Sequence, residues 1–552
     1  VNRDHHPSPV GRDSGEPHLP TKEARAQRES QLPVVSPEIL ASPDSLRSKW
    51  GSAESHPAGS AEFSRRAVLH AGVLGFGALA LDSLLPRELR AAASPFAAKP
   101  AAFAPPAKAI IFLTQVGGPS QMDLFDPKPA LGKFDGQPHS ERVEMFQKGS
   151  EANRILGSPW RFQPRGQCGM EISDALPHLA ALADEMTLVR SMHSEHNNHG
   201  EALILLSTGK TFMGRPSLGS WVSYALGTEC QNLPAYIVLR DPEGYSTHGQ
   251  LLWQNGWLPA VHRGTEFSTR GAPVLNLHPS QPVPLESRRD RLDLLAKLNR
   301  RHQQAFPGES ELDARIQNHE LAARMQLAAT TAFNLDEESP ATRRLYGLDS
   351  PVSRSYGQRC LTARRLVEAG VRFVQVFTPI KPFIQPWDTH RNVDTEIADI
   401  AAMTDGPSAA LIRDLKARGL LESTIVLWAG EFGRQPVSQN GMGRDHNRHA
   451  FSLLLAGGGF KRGHTHGATD DFGYRAVQGR VSVPDLHATL LHQLGLDHKR
   501  VSFPHHGRNE TEKLKKTYRH ALRYSAFLIF PTVAICFLAA FELIIIFYGH
   551  AY

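Results

Sequence analysis

The stretch Ser423-Thr-Ile-Val-Leu-Trp-Ala-Gly-Glu-Phe-Gly-Arg434 decides the fold class. Thr424–Trp428 is a short, unbroken apolar run of the kind that forms strands buried on both faces. It ends abruptly in a carboxylate, a glycine and an arginine. Gly443-Arg-Asp-His446 follows closely, with His449 behind it. Polar groups just past a buried strand mark the edge where open α/β sheets bind their ligands. Carboxylate with imidazole is also a ligand set for Zn, Mn or Fe. Together they point to a metal-dependent hydrolase, or the descendant of one.

Working outward, similar apolar runs occur at Ala109–Thr114, Met186–Val189, Ala235–Leu239, Val371–Phe377 and Phe451–Leu455. Helical patterns alternate with them at Ser353–Glu368, Thr395–Ala417 and Val483–Leu494. The charged stretch Arg288–Leu335 reads as a helical excursion. Alternating strands and helices predict an α/β fold: a mainly parallel sheet covered by helices on both faces.

The chain has 552 residues, enough for one large domain with appendages or for two to three domains. Its formal charge of +6 is small for this length, and no nucleic-acid-binding signature accompanies it, so no nucleic-acid partner is expected. The four cysteines (Cys168, Cys230, Cys360 and Cys536) are far apart, which supports neither a disulfide framework nor a zinc–thiolate site.

Residues 1–63 are rich in Pro, Ser, Glu and Arg without apolar periodicity and read as a disordered leader. Residues 64–94 hold Ser64-Arg-Arg-Ala-Val-Leu-His70, an apolar run from Ala71 to Leu81 and Ala91-Ala-Ala93. That order reads as a twin-arginine signal with a small-residue cleavage site. It implies the twin-arginine translocase as a partner and export to the periplasm or cell envelope. Residues 95–107 form an Ala/Pro linker, and 108–508 the folded body. Residues 509–552 combine a basic segment with an apolar run, Ala526–Phe547, long enough to cross a membrane. Membrane anchoring through this segment is one expectation. Its basic flank favours a cytoplasmic side, against the export signal, so a tail foreign to the domain is another.

Four constellations could carry chemistry, each just after a predicted strand. Val116–Asp126 makes a Gly-Pro turn that brings Ser120, Asp123 and Asp126 to the sheet edge, as site residues or as caps of the next element. Met192–Glu201 packs His193, Glu195, His196, His199 and Glu201 into one loop opening a helix, as ligands or as solvated histidines. In Trp387-Asp-Thr-His390, Asp388 and His390 alternate, so an extended segment aims both at one face. The fourth is Glu431 with Arg434, Asp445 and His446; its structural alternative is a helix cap with a salt-bridge partner. His464 and His466 read as surface loop residues. In a parallel sheet all four strand ends share one edge, which is the strongest argument for a site.

The segments Gly117–Pro129, Arg215–Trp221, Trp387–His390, Gly430–Arg434 and Gly443–His446 resemble those of a large family of uncharacterised, twin-arginine-exported bacterial proteins of the alkaline phosphatase/sulfatase superfamily. The resemblance runs from Lys108 to Arg508. It implies an alkaline-phosphatase-like fold with two divalent ions (Zn, Mn or Ca) on the C-terminal edge of the sheet. Asp388, His390, Glu431, Asp445 and His446 are then the expected ligands, and His199 lies near the reacting group. The substrate would be an anionic phosphate or sulfate ester, such as a sulfated glycan, bound by Arg434 or Arg444. The chain departs from the superfamily pattern at Thr114-Gln115, where an aspartate is expected, and at Phe432, where histidine is usual. The nucleophile position falls at or beside His199; Ser120 or a metal-bound water are the substitutes. Three readings follow: an exported ester hydrolase, an exported binding protein on the same fold, and a membrane-anchored accessory protein.

Overall fold

The computed structural model describes residues 97–503, except 231, 272, 274–284, 381–384 and most of 306–331. The leader, the twin-arginine segment and the apolar tail lie outside the described residues. No helix among the described residues is long and apolar enough to cross a membrane. The chain divides into two units, Val1–His498 and Lys499–Tyr552, and the fold below is that of the first.

The expected apolar runs form the central strands. They are β1 (Ala109–Thr114), β2 (Met186–His193), β3 (Tyr236–Leu239), β4 (Thr265–Glu266), β5 (Phe373–Phe377) and β6 (Thr424–Ala429). A hairpin of β7 (Gly433–Gln439) and β8 (Gly443–Asn447) follows, then β9 (Phe451–Ala456), β10 (His464–His466) and β11 (Val481–Ser482). The sheet order is β10-β2-β9-β6-β1-β5-β3-β4, with β11 also on β2. β1 lies between β5 and β6 and is parallel to both. Only β9 runs against its neighbours, β6 and β2. The sheet is therefore mixed and mostly parallel. β1, β3, β5, β6 and β9 are buried at every position, because both faces of the sheet are covered.

The helices that matter here are α1 (His199–Thr208), α2 (Leu218–Leu226), α3 (Leu285–Ala305), α4 (Arg354–Glu368), α5 (Val393–Ala417) and α6 (Val483–Gln493). α4 and α5 pack on each other and bury Leu361, Leu366, Ile397 and Leu411 in the main core. α5 starts cleanly because the Asn392 side chain accepts from the backbone N–H of Asp394 and Thr395. α6 opens with a capping box between Ser482 and Asp485. His466, read from sequence as a surface residue, is instead buried on β10, with Nε2 3.0 Å from the Gly479 carbonyl. The strand pairing of β10 with β2 draws it in.

His262, 2% exposed, sits 2.9 Å from Ser223 Oγ through Nδ1. Burial, and secondarily Lys99, push its pKa down to about 3. An unfolded chain takes up this proton near pH 6.5 and the folded chain does not. The stabilising contribution is thus complete above pH 6.5 and lost as pH falls from there towards 3. At pH 5 the loss is roughly 2 kcal/mol. Urea unfolding at pH 7.5 and pH 5 measures it, and His262→Gln should shrink the difference.

Candidate metal centre

β1, β2, β5 and β6 all point the same way, so the loops after Thr114, His193, Phe377 and Ala429 emerge at one sheet edge. There the structure brings His199, Asp388, His390, Glu431, Asp445 and His446 together. Asp388 Oδ1 is the hub. It lies 3.2 Å from His199 Nε2, 2.8 Å from His390 Nε2 and 3.1 Å from His446 Nε2, and Arg434 Nη2 donates to it at 2.6 Å. His390 Nε2 and His446 Nε2 are themselves 2.9 Å apart.

Each imidazole is held from behind. His199 Nδ1 meets Glu431 Oε1 at 2.6 Å, and His446 Nδ1 meets the Asn197 carbonyl at 2.7 Å. His390 Nδ1 meets Gln439 Oε1, whose amide is oriented by its own Nε2 donating to the Lys148 carbonyl. A ring whose outer nitrogen faces a carboxylate or carbonyl carries its proton there and presents the other lone pair inward, as metal-ligating histidines do. The rings are also wedged by aromatics: Phe432 lies 4.8 Å from His199 and 4.6 Å from His446, and Phe146 stacks on His446 at 4.8 Å.

The electrostatics follow from this packing. Burial would raise the Asp388 pKa, but Arg434 and the three imidazoles outweigh it and hold the carboxyl far below its usual range. Burial lowers that of His199, yet Asp388 and Glu431 overcome it and the net shift is upward. Burial, then Arg434 and His199, push His446 down to about 3. Two overlapping groups could hold a metal ion: His199, Asp388 and His446, and His390, Asp445 and His446. His199 Nε2 is buried and, apart from the Asp388 carboxylate 3.2 Å away, meets no polar partner, so it is aimed into the first group. The donor set therefore fits a cation.

The supporting carboxylates are otherwise engaged. Glu431 accepts the Gly117 N–H at 3.0 and 3.2 Å as well as facing His199. Gly117 has φ +115°, and a Cβ there would lie 2.6 Å from Trp387 N, so glycine is required for this approach. Asp445 accepts from Phe146 N (2.7 Å), Gln147 N (2.9 Å) and its neighbour His446 N (2.8 Å).

Three sequence assignments change. Arg434 is fully buried and its donors are spent on the carbonyls of Gly117, Gly118, Trp387 and Arg444 as well as Asp388; it ties the site's loops together and has no free face for a substrate anion. Arg444 is buried against both oxygens of Asp123, at 2.7 and 3.2 Å, and serves the carbonyls of Gln435, Leu156 and Gly157. Ser120 donates to the same Asp123, a carboxylate already neutralised by Arg444, so its hydroxyl is part of that buried pair. Of the histidines in the Met192–Glu201 loop, only His199 enters the cluster, and His196 Nδ1 accepts from Asn198 N; His449, beyond the hairpin, pairs with Glu144.

Sequence reasoning missed Gln439, the Asn197 carbonyl and the hairpin that carries half of the site. A histidine, His248, was also missed: it adopts φ +66°, and its Nε2 fills the space a Cβ on Gly200 would need, beside His199. Nothing in its neighbours signals this. Gln439→Ala, which frees the His390 ring, should weaken metal binding about 10- to 100-fold, measured by competition with a chromogenic chelator.

No curated protein matches the chain. Among solved structures it is similar to the C-terminal periplasmic domain of EcEptC from Escherichia coli, solved in complex with Zn (9% identity, 74% of this chain and 88% of that one, TM-score 0.33). It is similar to the PsFucS1 sulfatase from Pseudoalteromonas sp. (12%, 72% and 69%, TM-score 0.30) and to TAB5 alkaline phosphatase (10%, 71% and 99%, TM-score 0.30). Likenesses this distant bear on no residue of the site. The polysaccharide biosynthesis protein family matches residues 485–552. A second family, described as protein of unknown function (DUF1501), matches residues 107–517, and by that match the chain belongs to it.

Proposed function

We propose that the chain is a metal-dependent hydrolase of phosphate or sulfate esters. The observation that carries this reading is the convergence of three imidazole Nε2 atoms on the Asp388 carboxylate at the C-terminal sheet edge. A bound divalent ion would supply Lewis acidity to an ester oxygen and lower the pKa of a bound water. The chain's own contribution is orientation: Glu431, Gln439 and the Asn197 carbonyl set the rings, and Arg434 clamps Asp388. Asp388 and His390, 19% and 16% exposed, form the open side where an ester could approach.

Because Ser120 is locked against Asp123 and His199 faces Asp388, the chain offers no activated side-chain nucleophile among these candidates. Water is then the attacking group. The same observation favours a second reading, an exported binding protein on the same fold that holds an anionic ester without turning it over. Ser64-Arg-Arg66 supports export through the twin-arginine translocase, which would place either activity in the cell envelope.

The test is hydrolysis of 4-nitrophenyl phosphate and sulfate, and of a sulfated glycan, by the full chain before and after chelation. Turnover lost with chelator and restored by Zn or Mn supports the hydrolase. Binding of these compounds without turnover under any metal supports the binding protein.

A further inference from the structure

We propose that this centre takes one divalent cation, not two, held by Nε2 of His199, His390 and His446 and by Asp388, with Glu431 and Asp445 as supports. The proposal deepens the metal-dependent reading above and rests on it.

The argument is a count of lone pairs. All three outer nitrogens face acceptors: a carboxylate, a carbonyl and an amide oxygen of fixed orientation. Three Nε2 atoms therefore surround one carboxylate oxygen, at 2.8–3.2 Å. His390 Nε2 and His446 Nε2 stand 2.9 Å apart, and His199 Nε2 is buried with only the Asp388 carboxylate, 3.2 Å away, to face. Lone pairs at such distances repel unless something positive lies among them. A single proton would satisfy one pair and leave the others facing each other. One cation satisfies every donor at once.

A second ion would have to share donors with the first, because the two candidate groups overlap. Both Glu431 oxygens face the Gly117 N–H, and Oε1 also faces His199 Nδ1. Both Asp445 oxygens accept backbone N–H groups. The alternative group of His390, Asp445 and His446 draws on the same two imidazoles, and His446 has only one nitrogen to give. Gln115, at the end of β1, is spent on Trp387 Nε1 at 3.0 Å and Tyr356 Oη at 3.1 Å. The Phe432 ring fills the space beside His199 and His446. Three nitrogens and one carboxylate suit zinc or a similar transition ion; calcium requires six to eight oxygens. Calcium, among the ions the resemblance implied, does not fit.

The experiment strips the full chain with chelator, reloads it with Co2+ or Zn2+, and counts ions per chain by elemental analysis beside the Co2+ visible spectrum. One ion per chain is expected. His199→Ala should alter the Co2+ spectrum and weaken Zn2+ binding at least about 100-fold. Asp445→Asn should keep a stoichiometry of one ion per chain, bound more weakly because a supporting carboxylate is lost. Circular dichroism checks folding, and if His199→Ala is unfolded, His390→Ala at the more open position carries the same test. Two ions per chain, or none, overturns the proposal. So does an ion retained by His199→Ala and lost by Asp445→Asn. One ion without ester hydrolysis would sink the hydrolase reading alone; two ions with hydrolysis would sink this one alone.

Discussion

Asp123→Ala is expected to lower folding stability by about 3–5 kcal/mol, among the largest effects open to a single substitution here. Asp123 and Arg444 are both 0% exposed, and Asp123 is the carboxylate that Arg444 meets. Removing it strands a guanidinium in the interior. The carbonyls of Gln435, Leu156 and Gly157 still accept from Arg444 but neutralise no charge. Arg444 also sits on β8 beside Asp445 and His446, so its displacement moves the site. The double variant Asp123→Leu/Arg444→Met removes both charges together and should recover most of the loss, because an apolar pair of similar volume replaces a buried ion pair at little cost. Urea unfolding of the three variants measures this. A single variant within 1 kcal/mol of wild type would show that the pair contributes little.

The second large effect is on function. Asp388→Ala should bring bound metal to background and reduce ester turnover by on the order of 10³-fold or more, since several kcal/mol of charge stabilisation goes with the ion. Thermal unfolding should then cease to respond to added Zn2+, because a ligand stabilises only the state that binds it. Asp388→Asn separates charge from shape. It keeps an oxygen for Arg434 and removes the anion among the imidazoles. Unchanged metal content in both variants would remove Asp388 from the centre.

Much of this arrangement was legible in the sequence, for a physical reason. Strands buried on both faces leave unbroken apolar runs, so β1, β2, β3, β5, β6 and β9 could be read directly. Because parallel strands end on one edge, the polar residues after four of them could be brought together without knowing the packing. Asp388, His390, Glu431, Asp445 and His446 meet for that reason. The hairpin of β7 and β8 was not legible. Gly433-Arg-Gln-Pro-Val-Ser-Gln439 and Gly443-Arg-Asp-His-Asn447 have no apolar alternation, yet almost all of their residues are buried. They are buried because arginines and amides satisfy backbone carbonyls that no pattern of hydrophobicity reports. The same blindness misassigned Arg434 and Arg444 to a substrate. Charge near a site reads alike in sequence whether it faces a ligand or a carbonyl. His199 could be placed beside the centre but not in it, since its role depends on which nitrogen Glu431 occupies.

Gly443 shows how closely these parts are fitted: a Cβ there would run into the His390 carbonyl. One ligand loop thus rests on bare backbone of the hairpin that carries another ligand.

β1 lies in the middle of the sheet, and its neighbours β5 and β6 come late in the chain. The Gly117–Glu431 contact spans 314 residues. During synthesis at about 5–20 residues per second, Ala109–Thr114 waits on the order of half a minute before β6 exists. For that time an apolar strand, destined for the centre, has both edges open to other chains. Long-range parallel pairing is slow to form even when every partner is present. The nascent protein is therefore a natural client for a holding chaperone, and high-level expression without one should fill inclusion bodies before it fills the soluble fraction.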